Sequence, residues 1–237
     1  WGPIEGMTPA WSRQWFQNVC GSERCERSQG SKRIGQGYRP GRVSLPGVCW
    51  PQMSQEFRDA VREKSHIRDG LVIVDTFVNH KVDPILMRSC GEWLARELGQ
   101  ADIVITSEAS GIAPALAAAT ALGVPMVFAK KRPKPSEGSV ARQVISPTKG
   151  DRSWLEIKPH VLDGVHTAVV VDDFLSAGRT ALTLSELITE AGVEILGLGF
   201  AIEKTWTGGR ELLEDHGFRV VSAVIVDLDE EGTPVVR

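Results

Sequence analysis

The sequence predicts an α/β domain with a central, mostly parallel sheet flanked by helices, and three observations predict it. First, runs such as Ile103–Ser107, Val169–Val171 and Ile195–Ile202 place apolar residues at consecutive positions. Such strands are covered on both faces and belong inside a parallel sheet. Second, these runs alternate with helical patterns from residue 103 onward, which calls for right-handed crossovers. Third, two of the runs end in short turns of small and acidic residues that open directly into a helix. Open sheets of this kind bind their ligands at that end of the strands.

Composition agrees with a globular chain, long enough for one large domain or two small ones: 237 residues, 42% hydrophobic and 24% charged. No apolar run approaches the roughly 18–20 residues of a membrane span, so no membrane partner is expected. Charge is uneven. Residues 1–52 carry 7 Lys and Arg against 3 Asp and Glu, while 53–237 carry 20 against 27. The acidic remainder makes nucleic acid an unexpected partner. Of the four cysteines, Cys20 and Cys25 are not spaced as CxxC and no His pair follows. A zinc site is therefore not expected, and reduced thiols fit a cytoplasmic protein.

Taken in order, residues 1–52 hold four of the seven tryptophans (Trp1, Trp11, Trp15, Trp50) among Gly, Pro, Arg and Ser. They show neither a 3.6 nor a 2.0 period. We expect an upstream or non-native extension, disordered for the most part, with a regulatory tail as the competing reading and the domain running over 53–237. A helix is expected over 54–66, capped by Ser54, with Phe57, Ala60 and Val61 on its apolar face. A β-rich run follows, Leu71 to His80. Asp83 and Pro84 then open a helix as cap and first-turn residue; Leu86, Cys90, Leu94 and Leu98 share its buried side, and Gly99 ends it.

The strand 103–107 leads through Glu108, Ala109, Ser110 and Gly111 into an Ala-rich helix over 112–122. A strand is expected over 125–129, ending in Lys130, Lys131 and Arg132. Residues 132–150, rich in Pro, Lys, Ser and Gly, predict a long mobile loop, with a hairpin around 140–145, that could serve as a lid. The valine strand and a helix over 179–191 follow, then a strand over 195–202, a short helix near 209–216 and a strand over 220–226. Gly197 and Gly199 give only a partial GxGxxG inside a strand, weak grounds for a dinucleotide site.

The stretch 169–181, VVVDDFLSAGRTA, carries the chemistry. A central strand delivers Asp172 and Asp173, and the turn Ser176, Ala177, Gly178, Arg179, Thr180 then feeds a helix N-terminus. Free amides and the helix dipole suit a phosphate, whereas adjacent carboxylates suit hydroxyls. Acids followed by Ser and Gly also occur as plain turn and cap residues, and it is the full order that singles out this stretch. Together the parts describe a sugar phosphate. The turn Ser107, Glu108, Ala109, Ser110, Gly111 offers a second row of donors, with a plain helix cap by Ser110 as its structural alternative. Lys130 and Lys131, with Arg132, could neutralise an anionic leaving group or merely form a solvated charge run.

This order of strand, two acids, two apolar residues, small-small-Gly-x-Thr and helix resembles the phosphoribosyl pyrophosphate (PRPP) signature of type I phosphoribosyltransferases. Ala177 stands where most of that superfamily has Thr or Ser. VDTFVNHKVDPILM, SEASGIAPA, GVPMVFAKK, VVVDDFLSAGRTA and IEKTWTGGRELL, in this order, resemble the bacterial xanthine phosphoribosyltransferase family over essentially all of 53–237. The resemblance implies the type I phosphoribosyltransferase fold, with a small hood formed by the N- and C-terminal parts of the domain. It implies a homodimeric, cytoplasmic purine-salvage enzyme, a pentosyltransferase making xanthosine 5′-monophosphate from xanthine and PRPP. It implies PRPP on 107–111, 130–131 and 176–180, with Asp172 and Asp173 catalytic on the ribose. It implies xanthine against Val72, Asn79 and Lys204, and Mg2+ bound with PRPP. A Lys donates only, so it suits an oxo group and disfavours the amino group of adenine. Two other readings stay open: a hypoxanthine or guanine phosphoribosyltransferase, and a PRPP-sensing purine repressor. The second requires a DNA-binding domain ahead of the sheet, and residues 1–52 carry no helix-turn-helix pattern.

Overall fold

The structure, a computed structural model, describes residues 53–68, 71–145 and 152–237, all within one compact unit. The expected extension 1–52 lies outside the described residues. Among the described residues five α-helices and ten strands are ordered as α1 (Met53–Lys64), β1 (His66–Arg68), β2 (Leu71–Ile73), α2 (Pro84–Leu98), β3 (Ile103–Ser107), α3 (Ile112–Leu122), β4 (Met126–Arg132), β5 (Val140–Ile145), β6 (Arg152–Ile157), β7 (Thr167–Leu175), α4 (Arg179–Glu190), β8 (Glu194–Lys204), α5 (Gly209–Asp215), β9 (Val220–Leu228) and β10 (Pro234–Val236).

Eight strands form one sheet in the order β10-β9-β8-β7-β3-β4-β6-β5. The five central ones, β9 to β4, are parallel; β10, β6 and β5 are antiparallel additions at the edges. From β3 the chain moves to β4 on one side and later returns to β7 on the other. The strand order therefore reverses between β3 and β7, and a crevice opens beyond their carboxyl ends.

The valine strand is buried on both faces. Val169 and Val171 pack with Phe57 of α1, Leu94 of α2 and Ala115 of α3. Ala168 and Val170 join Leu184 and Ile188 of α4 and Leu213 of α5 on the other face. Asp83 caps α2 as expected: its Oδ1 accepts from the amides of Ile85 (3.0 Å) and Leu86 (3.2 Å), a contribution of about 1 kcal/mol.

Gly197 and Gly199 serve packing. A methyl on Gly199 would lie 2.8 Å from Leu98 Cδ1 and 3.0 Å from Leu94 Cδ2. The glycines thus let α2 settle on β8, which accounts for the partial motif without a dinucleotide.

Several expectations need correction. Helix α1 starts by Met53, so Ser54 is inside its first turn and does not cap it. Of the run 71–80 only Leu71–Ile73 is a strand, paired with β1 in a separate antiparallel hairpin. Strand β4 continues through Lys130, Lys131 and Arg132 because β6 pairs with that stretch. The long loop is largely structured. Hairpin β5–β6 extends the sheet, and Arg142 forms ion pairs with Glu186 and Glu190 of α4. Buried Glu156 accepts from Ser136 N (2.6 Å) and Oγ (2.8 Å), tying down the turn after β4. Only 146–150 of the expected lid lies outside the described residues.

Helices α2 and α3 approach through Gly91, where a methyl would come 2.5 Å from the Ala117 carbonyl carbon. Overpacking costs about 1–3 kcal/mol, more than the helix-propensity gain of about 1 kcal/mol for Ala over Gly. Gly91→Ala is expected to lower the thermal midpoint; a midpoint equal to or above that of the parent would contradict this packing.

Candidate functional site

The crevice at the strand-order reversal holds a cavity of about 320 Å³. Its walls are the turn Ser107–Gly111 after β3 and the stretch Asp172–Ala181, which runs from the end of β7 into α4. Lys131 of β4 and Phe200 of β8 complete it.

The wall from β7 is a nest of backbone donors. Gly178 adopts φ +72°, and α4 begins at Arg179 with no side chain capping it. Its first backbone bond runs from Leu182 N to Gly178 O (2.9 Å). The amides of Arg179, Thr180 and Ala181 thus have no acceptor within the helix, and they face the cavity with the dipole behind them. The wall from β3 repeats the device only in part: Ile112 N donates to Ala109 O (3.2 Å) and Pro114 has no amide hydrogen, so Ala113 alone in the first turn of α3 has no acceptor within the helix. No side chain caps α3, so Ser110 does not play the plain cap role. The Glu108–Ala109 peptide is cis. Glu108 faces its neighbour strand: its Oε1 accepts from the Lys131 amide at 2.7 Å.

Between the walls sit the two acids. Asp172 Oδ1 accepts from the Asp173 amide at 2.9 Å. It is packed against Gly111, where any side chain would collide with both Asp172 Oδ1 and Thr106 Oγ1. Burial, and then the neighbouring Asp173 carboxylate, push Asp172 well above the ordinary carboxylate range, with Lys131 opposing them. Among the described residues no three side chains converge as metal ligands. The acid pair supplies two carboxylates, a fit for a hard cation that takes its remaining oxygens from substrate and water.

A model of the phosphoribosyl transferase domain matches residues 82–234. Xanthine phosphoribosyltransferase from Deinococcus deserti is 43% identical over 185 residues, covering 76% of this chain and 96% of that protein. The enzyme of that name from Streptococcus gordonii is 42% identical over 183 residues, covering 73% and 95%. The chain belongs to the phosphoribosyltransferase family. Among solved structures, adenine phosphoribosyltransferase from Rhodothermus marinus matches with a TM-score of 0.59 at 21% identity, over 73% of this chain and 99% of that one. The Saccharomyces cerevisiae adenine enzyme matches with 0.57 at 19%, over 71% and 99%. At these identities the structural likeness is one of fold alone.

In this phosphoribosyltransferase the cavity gathers the expected residues of both turns, Asp172, Asp173 and Lys131. Four expected residues do not line it. Lys130 is exposed on β4, next to Lys131 but on the opposite face of the strand. Val72 is buried, its side chain in the core beside α1, so only its backbone is free to meet a ligand. Asn79 has a buried Oδ1 without a partner. Lys204, half-buried at the end of β8, holds its Nζ 4.9 Å from the Phe174 ring centre. Burial lowers its pKa, and the Asp173 carboxylate opposes that shift. Phe174 and Trp206 pack against the cluster that also contains Val72, Phe77 and Val78. Sequence reasoning missed Phe174; an aromatic between an acid pair and a phosphate turn was the available signal.

The raised Asp172 makes a prediction about stability. A folded-state pKa above the unfolded value means the folded protein binds more protons, so stability falls as pH rises through the window above the ordinary carboxylate pKa of about 4. Asp172→Asn is expected to raise the thermal midpoint at pH 7, with the gap closing on acidification below about pH 4. A variant less stable than the parent at pH 7 would contradict the account.

Proposed function

We propose that this protein is a xanthine phosphoribosyltransferase, transferring the 5-phosphoribosyl group of PRPP to xanthine with release of diphosphate. The observation that carries the reading is the cavity itself: two uncapped helix-opening turns face each other across a carboxylate pair. Only a ligand with two anionic ends and hydroxyls between them uses all three parts. PRPP is such a molecule, and relatives at 42–43% identity are named for xanthine transfer.

In this reading the amides of 176–180 hold the 5′-phosphate, and Asp172 and Asp173 hold the ribose hydroxyls. The turn 107–111 and Lys131 take the diphosphate. The anomeric carbon–oxygen bond to diphosphate breaks, positive charge develops on the ribose ring, and a xanthine ring nitrogen forms the new bond to that carbon. Its proton goes to solvent. The chain contributes position and charge rather than a covalent nucleophile. Asp172 and Asp173 are the residues that would hold Mg2+, which when bound neutralises the diphosphate.

For the base, the unpartnered Asn79 Oδ1 is an acceptor waiting for a ring N–H. The Lys204 ammonium is a donor for an oxo group. A solvated, homodimeric enzyme of the cytoplasm fits this role. Exposed Ile85 (61%), Leu116 (54%) and Phe128 (37%) provide apolar surface for a second copy, and no helix among the described residues is long and apolar enough to cross a membrane.

Diphosphate release from PRPP with xanthine, hypoxanthine, guanine and adenine tests the reading. We expect xanthine to give the highest kcat/KM, and Lys204→Ala to erode that preference by about tenfold or more, the loss of one charged hydrogen bond. A strong preference for hypoxanthine or guanine would overturn the choice of base.

A further inference from the structure

We propose that the pair formed by half-buried Arg210 and buried Glu203 is a positioning brace that fixes the distance between the phosphate turn and Lys204. The inference rests on the reading of those two places given under Proposed function, and it concerns residues that the reading does not use.

Helix α5 meets the phosphate turn backbone to backbone. A methyl on Gly209 would collide with the Ser176 carbonyl oxygen and come 2.9 Å from Gly178 N. A methyl on Gly178 would come 2.9 Å from Gly209 O. The nearest atoms across this contact are backbone, with Leu175 Cδ1 packed beside them at 2.9 Å from the Gly209 methyl position, so a shift of α5 is passed directly to the turn. The next residue, Arg210, grips β8. Its Nε donates to one Glu203 oxygen at 2.7 Å, and Nη2 donates to the other. Nη1 donates to Glu214 (3.0 Å) and to the Val220 carbonyl (3.2 Å). Ser222 Oγ also donates to Glu203. Glu203 is 2% exposed and immediately precedes Lys204. Alternation along the strand sends Glu203 toward α5 and Lys204 to the opposite face, where it meets Phe174.

One dipeptide, Gly209-Arg210, therefore touches both ends of the substrate site. Its first residue sets the phosphate turn and its second sets the strand that presents Lys204. The 5′-phosphate and the base are the two ends of the product nucleotide, so their anchors must keep one separation. A planar guanidinium bound in two-point fashion fixes such a separation better than a point charge. Stability alone is a poor reason for the pair, because apolar residues of similar volume often replace a buried ion pair without loss.

That last point supplies the test. In the double variant Glu203→Leu/Arg210→Met both charges go together, so no uncompensated charge is buried. We expect a thermal midpoint near that of the parent, with KM for PRPP raised and kcat lowered by about tenfold each, in line with the large cost of small misplacements. Parental KM and kcat at a retained midpoint would overturn the brace. So would a lowered midpoint with parental KM for PRPP, the signature of a purely structural pair. If the double variant does not fold, Arg210→Lys decides. It keeps the charge and loses the fork, and it should raise KM for PRPP about threefold or more; a parental value overturns the proposal. The assays use whichever purine the parent turns over fastest, so an error in base assignment is seen in the parent and leaves the test of the brace intact.

Discussion

Two uncapped helix N-termini facing each other across a pair of like charges are the constraint on which the rest depends. Neither part is stable in isolation. Free amides and adjacent carboxylates both want partners, and a buried acid pair resists ionisation. The sheet forces them together. Val169, Val170 and Val171 are buried on both faces, so β7 has one allowed depth and register, and Asp172 and Asp173 arrive where β3 and β7 diverge. A ligand that brings anions for the amides and hydroxyls or a cation for the acids completes what the fold leaves open. The site is thus stabilised by occupation, at the expense of the empty protein.

The surroundings serve that arrangement. Gly111 is small because Asp172 and Thr106 occupy the space where a side chain would go. Gly209 is small because the phosphate turn does. Gly197 and Gly199 let α2 approach β8, which holds the strand bearing Glu203 and Lys204. The glycines that matter here act through close approach, and each close approach lies on a path to the cavity.

Much of this was legible in the residues. Period and burial follow from the same apolar runs, so the central strands and their helices fall where the pattern puts them. Both helix-opening turns could be found because small residues and acids at strand ends are rare in that order. The edge of the sheet was less visible. Strands β5 and β6 are rich in polar residues and gain their order from pairing with each other and with β4, and from the ties of Arg142 and Glu156. Such tertiary ties leave no period in the sequence. Val72 shows the same limit in reverse. The family resemblance put it with the base, and its side chain is also part of the core, a role that the resemblance does not announce. The Arg210–Glu203 pair joins residues on a helix and a strand, and nothing in either segment read alone announces the other.

The central claim is that one cavity binds an activated pentose phosphate by its two anionic ends, with the acid pair on its hydroxyls. A crystal structure of the protein with PRPP measures this most directly. The account predicts the 5′-phosphate within hydrogen-bond reach of the amides of 176–180, the diphosphate on 107–111, and the ribose hydroxyls beside Asp172 and Asp173. Density for the pentose phosphate away from these turns, or in the cavity with the acid pair left without contact to ribose or cation, would contradict it.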